Sequence, residues 1–174
     1  RFSDGITPMP DVALSTLDPR WQTQVETARL ALERDNPGYA VELCAEVLAH
    51  TPGCLPVRQL LRAAQLRLLP VKNRFPARMI NAVAAVARRF SGGKNDPVRT
   101  METADRMLAR DPASVPALKL LARSATALDF PQTAVFACEC VRALAPVDGD
   151  NLRALSEACL AAGRHHDAVR AATE

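Results

Sequence analysis

Three histidines and five cysteines are the residues best suited to ligating a metal or attacking a carbonyl carbon, so their spacing is the first test for an enzyme. The spacing is unfavourable. His165 and His166 are adjacent, and neighbours on a helix point apart, so they do not chelate together. Neither they nor His50 stand near a cysteine at zinc-ligand spacing. His50 falls near a predicted helix C-terminus, where the dipole favours a cationic ring. Cys138 and Cys140 are two apart and therefore lie on nearly opposite sides of a helix, a poor arrangement for sharing an ion. Cys44, Cys138 and Cys159 fall on apolar helix faces, where a free thiol behaves as a small hydrophobe. Reduced thiols of this kind imply a cytoplasmic setting.

Other motifs fare no better. Ser91-Gly92-Gly93-Lys94 has the flavour of a phosphate loop, but it lacks the G-x-x-x-x-G-K-[ST] spacing, and Asn95 follows the lysine. No predicted strand precedes it, and it reads as a linker between helices. Glu42 with Glu46, and Glu102 with Asp105, are one-turn neighbours, better explained as solvated helix faces than as acid–base pairs. No serine occupies a nucleophile elbow. The expectation is a protein with no catalytic residues, no metal and no cofactor.

Whatever positions these residues is helical. Apolar residues make up 48% of the chain and aromatic ones only 4%, much of the apolar share being alanine. Such a composition packs helix on helix and suits sheets poorly, since strands favour β-branched and aromatic residues. Most of the thirteen prolines, against seven glycines, fall between apolar-periodic segments, where they start and stop helices. At 174 residues the chain suits one all-α domain. Its longest apolar runs are far below the ~20 residues a membrane span needs. Arginine far outnumbers lysine, which with the alanine content suggests a GC-rich bacterial gene.

The chain also repeats itself. At an offset of 34 residues, Leu118, Leu121, Ala125 and Ala134 superpose on Leu152, Leu155, Cys159 and Ala168. At an offset of 60, Asn36-Pro37 and Thr51-Pro52 superpose on Asp96-Pro97 and Asp111-Pro112, and Leu60-Leu61 on Leu120-Leu121.

On these residues the chain resembles the tetratricopeptide repeat (TPR) family, whose 34-residue unit has apolar residues at positions 4 and 7, small residues at 8 and 20, and proline at 32. Residues 115–148 supply Leu118, Leu121, Ala122, Ala134 and Pro146 at those places. The next unit supplies Leu152, Leu155, Ser156 and Ala168, and a unit from Trp21 supplies Ala28, Ala40 and Pro52. The pattern is broken by polar Gln24 and Thr27, by Arg62 where a small residue is due, and by an insert between Leu69 and Asp96. That insert carries an additional helix at about 76–90, placed after the first helix of the second unit. The resemblance implies an α-solenoid of about four hairpins, some eight or nine helices in all. An extended arm at 1–18 precedes the repeat domain at 19–174, whose basic insert covers about 70–95. The chain begins without Met and stops at Glu174, part-way through the last second helix. It is therefore expected either to continue or to pack that end on a second copy as a homo-oligomer.

For function, the resemblance implies a scaffold or adaptor that holds a protein or acidic peptide in its concave groove. First helices line that groove, and the matching residues here include Arg29, Gln59, Lys119, Arg123, Arg153 and Glu157. The cationic members would meet a carboxylate by charge-assisted hydrogen bonds. A chaperone-tail clamp is not expected, because position 6 holds Glu26, Leu60, Leu120 and Ala154 rather than asparagine.

A second feature stands outside the repeat. Residues 55–95 hold nine cationic and no anionic side chains, whereas the other 133 residues hold 13 cationic and 19 anionic ones. Arg62, Arg67, Arg74, Arg78, Arg88 and Arg89 belong to this block. Three readings stay open: contact with nucleic-acid phosphates, docking on an acidic protein face, or a solvated surface. Phe75 and Phe90 are the aromatic residues of the block, and Phe90 is expected to pack in the core, so no base-stacking platform is offered. The alanine-rich inserted helix would be a weak membrane anchor.

Overall fold

The computed structural model describes residues 11–69 and 96–173; the inserted helix expected at 76–90, with Arg74, Arg78, Arg88 and Arg89, lies outside them. Eight α-helices are present among the described residues, and no strand. They are α1 (Pro19–Glu33), α2 (Pro37–His50), α3 (Leu55–Leu68) and α4 (Pro97–Arg110), then α5 (Val115–Ala127), α6 (Pro131–Leu144), α7 (Gly149–Ala161) and α8 (His165–Thr173). Each of α1 to α6 has proline in its first turn, where the missing N–H costs nothing and the fixed φ suits a helix. Asp18, Asn36, Asp96 and Asp148 cap α1, α2, α4 and α7 by accepting a backbone N–H.

Two kinds of turn alternate, and they carry the repeat. Within hairpins, Asp35, Asp129 and Gly163 adopt left-handed φ of 57°, 59° and 72°. The following N–H then reaches back across the turn: Asn36 to Ala31 O, Phe130 to Ala125 O and Arg164 to Cys159 O, each at 2.8–2.9 Å. That is the six-to-one closure of a Schellman turn. Between hairpins, Thr51, Asp111 and Ala145 each donate to the carbonyl four residues back, and proline follows at 52, 112 and 146. The architecture is an all-α solenoid of tetratricopeptide-like hairpins, α1–α2, α5–α6 and α7–α8, stacked through α2 on α3, α4 on α5 and α6 on α7.

Small residues let the helices approach. Ala28, Ala40, Ala134 and Ala168 are fully buried, as expected for positions 8 and 20. Ser156 replaces alanine in the last hairpin and satisfies itself by donating its Oγ to Ala168 O at 3.0 Å. Gln24, polar where an apolar residue was due, bridges hairpin α1–α2 by donating to Leu43 O and Glu46 Oε2.

Among the described residues the core falls into two main parts, with a smaller cluster of Ala31, Leu32, Ala40 and Ala64 beside the first. Leu17, Val25, Val47, Val57 and Leu61 centre the part formed by α1–α3, while Met101, Leu118, Leu121, Val135 and Leu155 centre the part formed by α4–α8. Across the seam α3 and α4 do not close as a tight hairpin. Arg62 accordingly takes the place of a small residue and extends its guanidinium to Pro112 O at 2.8 Å. Arg58, 3% exposed, reaches Asp105 at 2.7 Å and Pro52 O at 2.9 Å.

A third tie comes from the chain's first described residues. Asp11 accepts from the backbone N–H groups of Gln132 and Thr133 and from the Thr133 hydroxyl, at 2.7–2.9 Å. It thereby caps α6, whose own cap residue, Phe130, has no side-chain acceptor. Val12 N–H donates to Gly53 O at 2.9 Å, and Leu17 is buried among α1–α3. The arm expected at 1–18 is therefore docked over residues 11–17.

Candidate functional site

A groove of about 420 Å³ opens between α5, α6 and α7. Its floor is built from small side chains, Ala122, Ala134, Ala154, Ala158 and Ala161, with the Cys138 sulfur among them. This follows directly from the repeat. Residues short enough to let α5 meet α6 and α6 meet α7 leave a hollow where longer side chains would have filled the angle between helices. Asn151 stiffens one wall: buried at the start of α7, it donates Nδ2 to Cys138 O at 3.0 Å.

Charge is placed around that floor. Lys119 and Arg123 project from α5, Asp150 and Glu157 from α7, and Asp129 from the left-handed turn between α5 and α6. Lys119 Nζ lies 2.6 Å from Asp148 Oδ2, both half-buried. The Lys119 ammonium, with help from the Asn151 and Asp150 N–H groups, holds the Asp148 carboxyl below its ordinary value. Arg123 makes no ion pair among the described residues, and Asp129, Asp150 and Glu157 make none either.

Of the six groove residues expected from the repeat positions, Lys119, Arg123 and Glu157 converge here. Arg153 does not face the groove; with Glu157 it borders a second concavity between α7 and α8. Arg29, on α1, is occupied by Glu26 and Glu33 on its own helix, and Gln59 is exposed on α3. Sequence reasoning missed Asp148 and Asp129. The first had a readable signal, since an aspartate just ahead of a helix, four residues before its first apolar residue Leu152, is a cap candidate. The second depended on a turn geometry that no spacing displayed.

The described part of the basic block is engaged with the fold. Arg67 Nη1 donates to Leu32 O at 2.7 Å, near the C-terminus of α1, where a cation also complements the dipole. Arg62 and Arg58 span the seam as already described. Backbone carbonyls and one carboxylate thus take up donor groups on all three.

The thiols are packing elements. Cys44, Cys54, Cys138 and Cys159 are buried, Cys140 is half-buried, and all five are free. Burial pushes the Cys44 and Cys138 thiols up to about 12, which removes them as nucleophiles near neutrality. Among the described residues no cluster of His, Cys, Asp and Glu could hold a metal ion, and no helix is long and apolar enough to cross a membrane.

No family model matches the sequence, and no curated protein matches it. Among solved structures, the chain is similar to the crystal structure of MamA, at 14% identity, covering 87% of this chain and 74% of that one, with a TM-score of 0.39.

Proposed function

We propose that this chain is a non-catalytic scaffold of a bacterial cytoplasm, divergent from the tetratricopeptide family, that holds a segment of another protein in the groove between α5, α6 and α7. The observation that carries this reading is the groove itself. A hollow of about 420 Å³ with an alanine floor and a charged rim has the size and lining of a ligand site. The one sulfur on the floor is a protonated thiol, and no histidine lines the hollow.

The test is a plug. Thr126 is exposed and lines the groove, so Thr126→Trp fills it from a position that the core does not need. Ala49→Trp places the same bulk on the exposed face of α2. Proteins recovered from host lysate by the wild type and by Ala49→Trp, but lost with Thr126→Trp, support the reading. Recovery unaffected by Thr126→Trp removes the groove from the function.

A further inference from the structure

The groove's charge has the opposite sign from the one its sequence positions suggested. Lys119 and Arg123 are the cations of the lining, but Lys119 is neutralised by Asp148 at 2.6 Å. What remains on the rim is one cation, Arg123, against three carboxylates, Asp129, Asp150 and Glu157. All four side chains are exposed and stand outside any ion pair among the described residues. The potential presented to an entering segment is therefore negative, and a low-dielectric floor focuses it.

Resting on the reading just given, we infer that the occupant of this groove is a peptide segment bearing lysine or arginine next to small residues. The fit has two parts. Long cationic side chains lay their methylene stems along apolar surface and keep their heads in water. Here the stem finds Ala122, Ala154, Ala158 and Ala161, and the head finds Asp150 and Glu157 on α7 or Asp129 at the hairpin turn. Small neighbouring residues allow the peptide backbone to approach the floor, as the small residues of the repeat do for its helices. An acidic segment would instead meet three carboxylates, with one arginine to offset them.

The experiment is selection of a displayed random peptide library on the purified chain, followed by fluorescence anisotropy with the selected peptides. Enrichment of Lys and Arg supports the inference if binding weakens at least tenfold in Asp150→Asn/Glu157→Gln and in Thr126→Trp, and is kept in Ala49→Trp. The neutralising pair leaves groove shape intact, and circular dichroism of each variant confirms folding. Enrichment of Asp and Glu in peptides that Thr126→Trp rejects overturns the cationic assignment while leaving the groove as the binding site. Peptides that bind Thr126→Trp unchanged overturn the groove reading itself. Failure to enrich any sequence overturns the inference, as does concentration-dependent dimerisation that Thr126→Trp abolishes, which would make a second copy the occupant.

Discussion

Replacing Asp11 by alanine should destabilise a helix that begins 120 residues later. The Asp11 carboxylate accepts from Gln132 N–H, Thr133 N–H and the Thr133 hydroxyl, at 2.7, 2.9 and 2.7 Å. Helix α6 has no other side-chain cap, because Phe130 stands at the capping position. Loss of an N-cap costs about 1 kcal/mol. Loss of a negative charge beside the N-terminal dipole adds roughly 0.3–1 kcal/mol. Thr133 is fully buried, so its hydroxyl cannot turn to solvent for a replacement partner. Together these give about 2 kcal/mol for Asp11→Ala, which in a domain of this size lowers Tm by about 4–8 °C. Asp11→Asn keeps a good capping oxygen without the charge and should lose about half as much. Calorimetry of both variants is the assay, joined to a double-mutant cycle with Thr133→Val. The cycle should give a coupling energy of about 1 kcal/mol, because the two side chains bond each other directly. Melting of Asp11→Ala within about 1 °C of wild type, or strict additivity in the cycle, would refute the claim that the arm is fastened to α6.

Gly53 lies under the Phe130 ring, where an added Cβ would come within 2.7 Å of Cε1; Gly53→Ala should therefore cost about 1–3 kcal/mol, read in chemical denaturation. Asp105→Ala strands the 3% exposed Arg58 guanidinium without its carboxylate, and the loss should be about 3 kcal/mol by the same measurement. For the thiols the sign follows from burial. Their folded pKa lies above the ordinary value of 9.0, so the unfolded chain releases protons first and stability falls as pH rises past about 9. Urea titrations at pH 7.5 and 10 should show the midpoint dropping, and Cys44→Ser/Cys138→Ser should flatten that dependence.

Much of this architecture was legible in the residues because the repeat is written in side-chain size. Ala28, Ala40, Ala134 and Ala168 must be small wherever helices cross closely, and Pro52, Pro112 and Pro146 must interrupt a helix, so the 34- and 60-residue offsets expose the hairpins. The seam was harder. Arg62 was visible as a departure from the pattern, yet its use, a bond to Pro112 O 50 residues away, depends on how far α3 stands from α4. Asp11 looked like one polar residue of an extended arm, and nothing local signals an acceptor for α6. The groove residues were half legible for a related reason. Repeat position finds Lys119, Arg123 and Glu157 on first helices, but net charge is a sum over neighbours, and Asp148 and Asp129 come from the turns. Arg29 shows the same limit, because its potential partners Glu26 and Glu33 were one helical turn away throughout.

The central claim, that the hollow between α5, α6 and α7 is where another protein is held, is tested most directly by photo-crosslinking in the native host. A benzophenone amino acid is placed at Arg123 on the groove rim, and in a parallel strain at Ala49, both exposed positions. A discrete adduct with another protein is expected at Arg123 and none at Ala49. An adduct at Ala49 with none at Arg123 would contradict the claim.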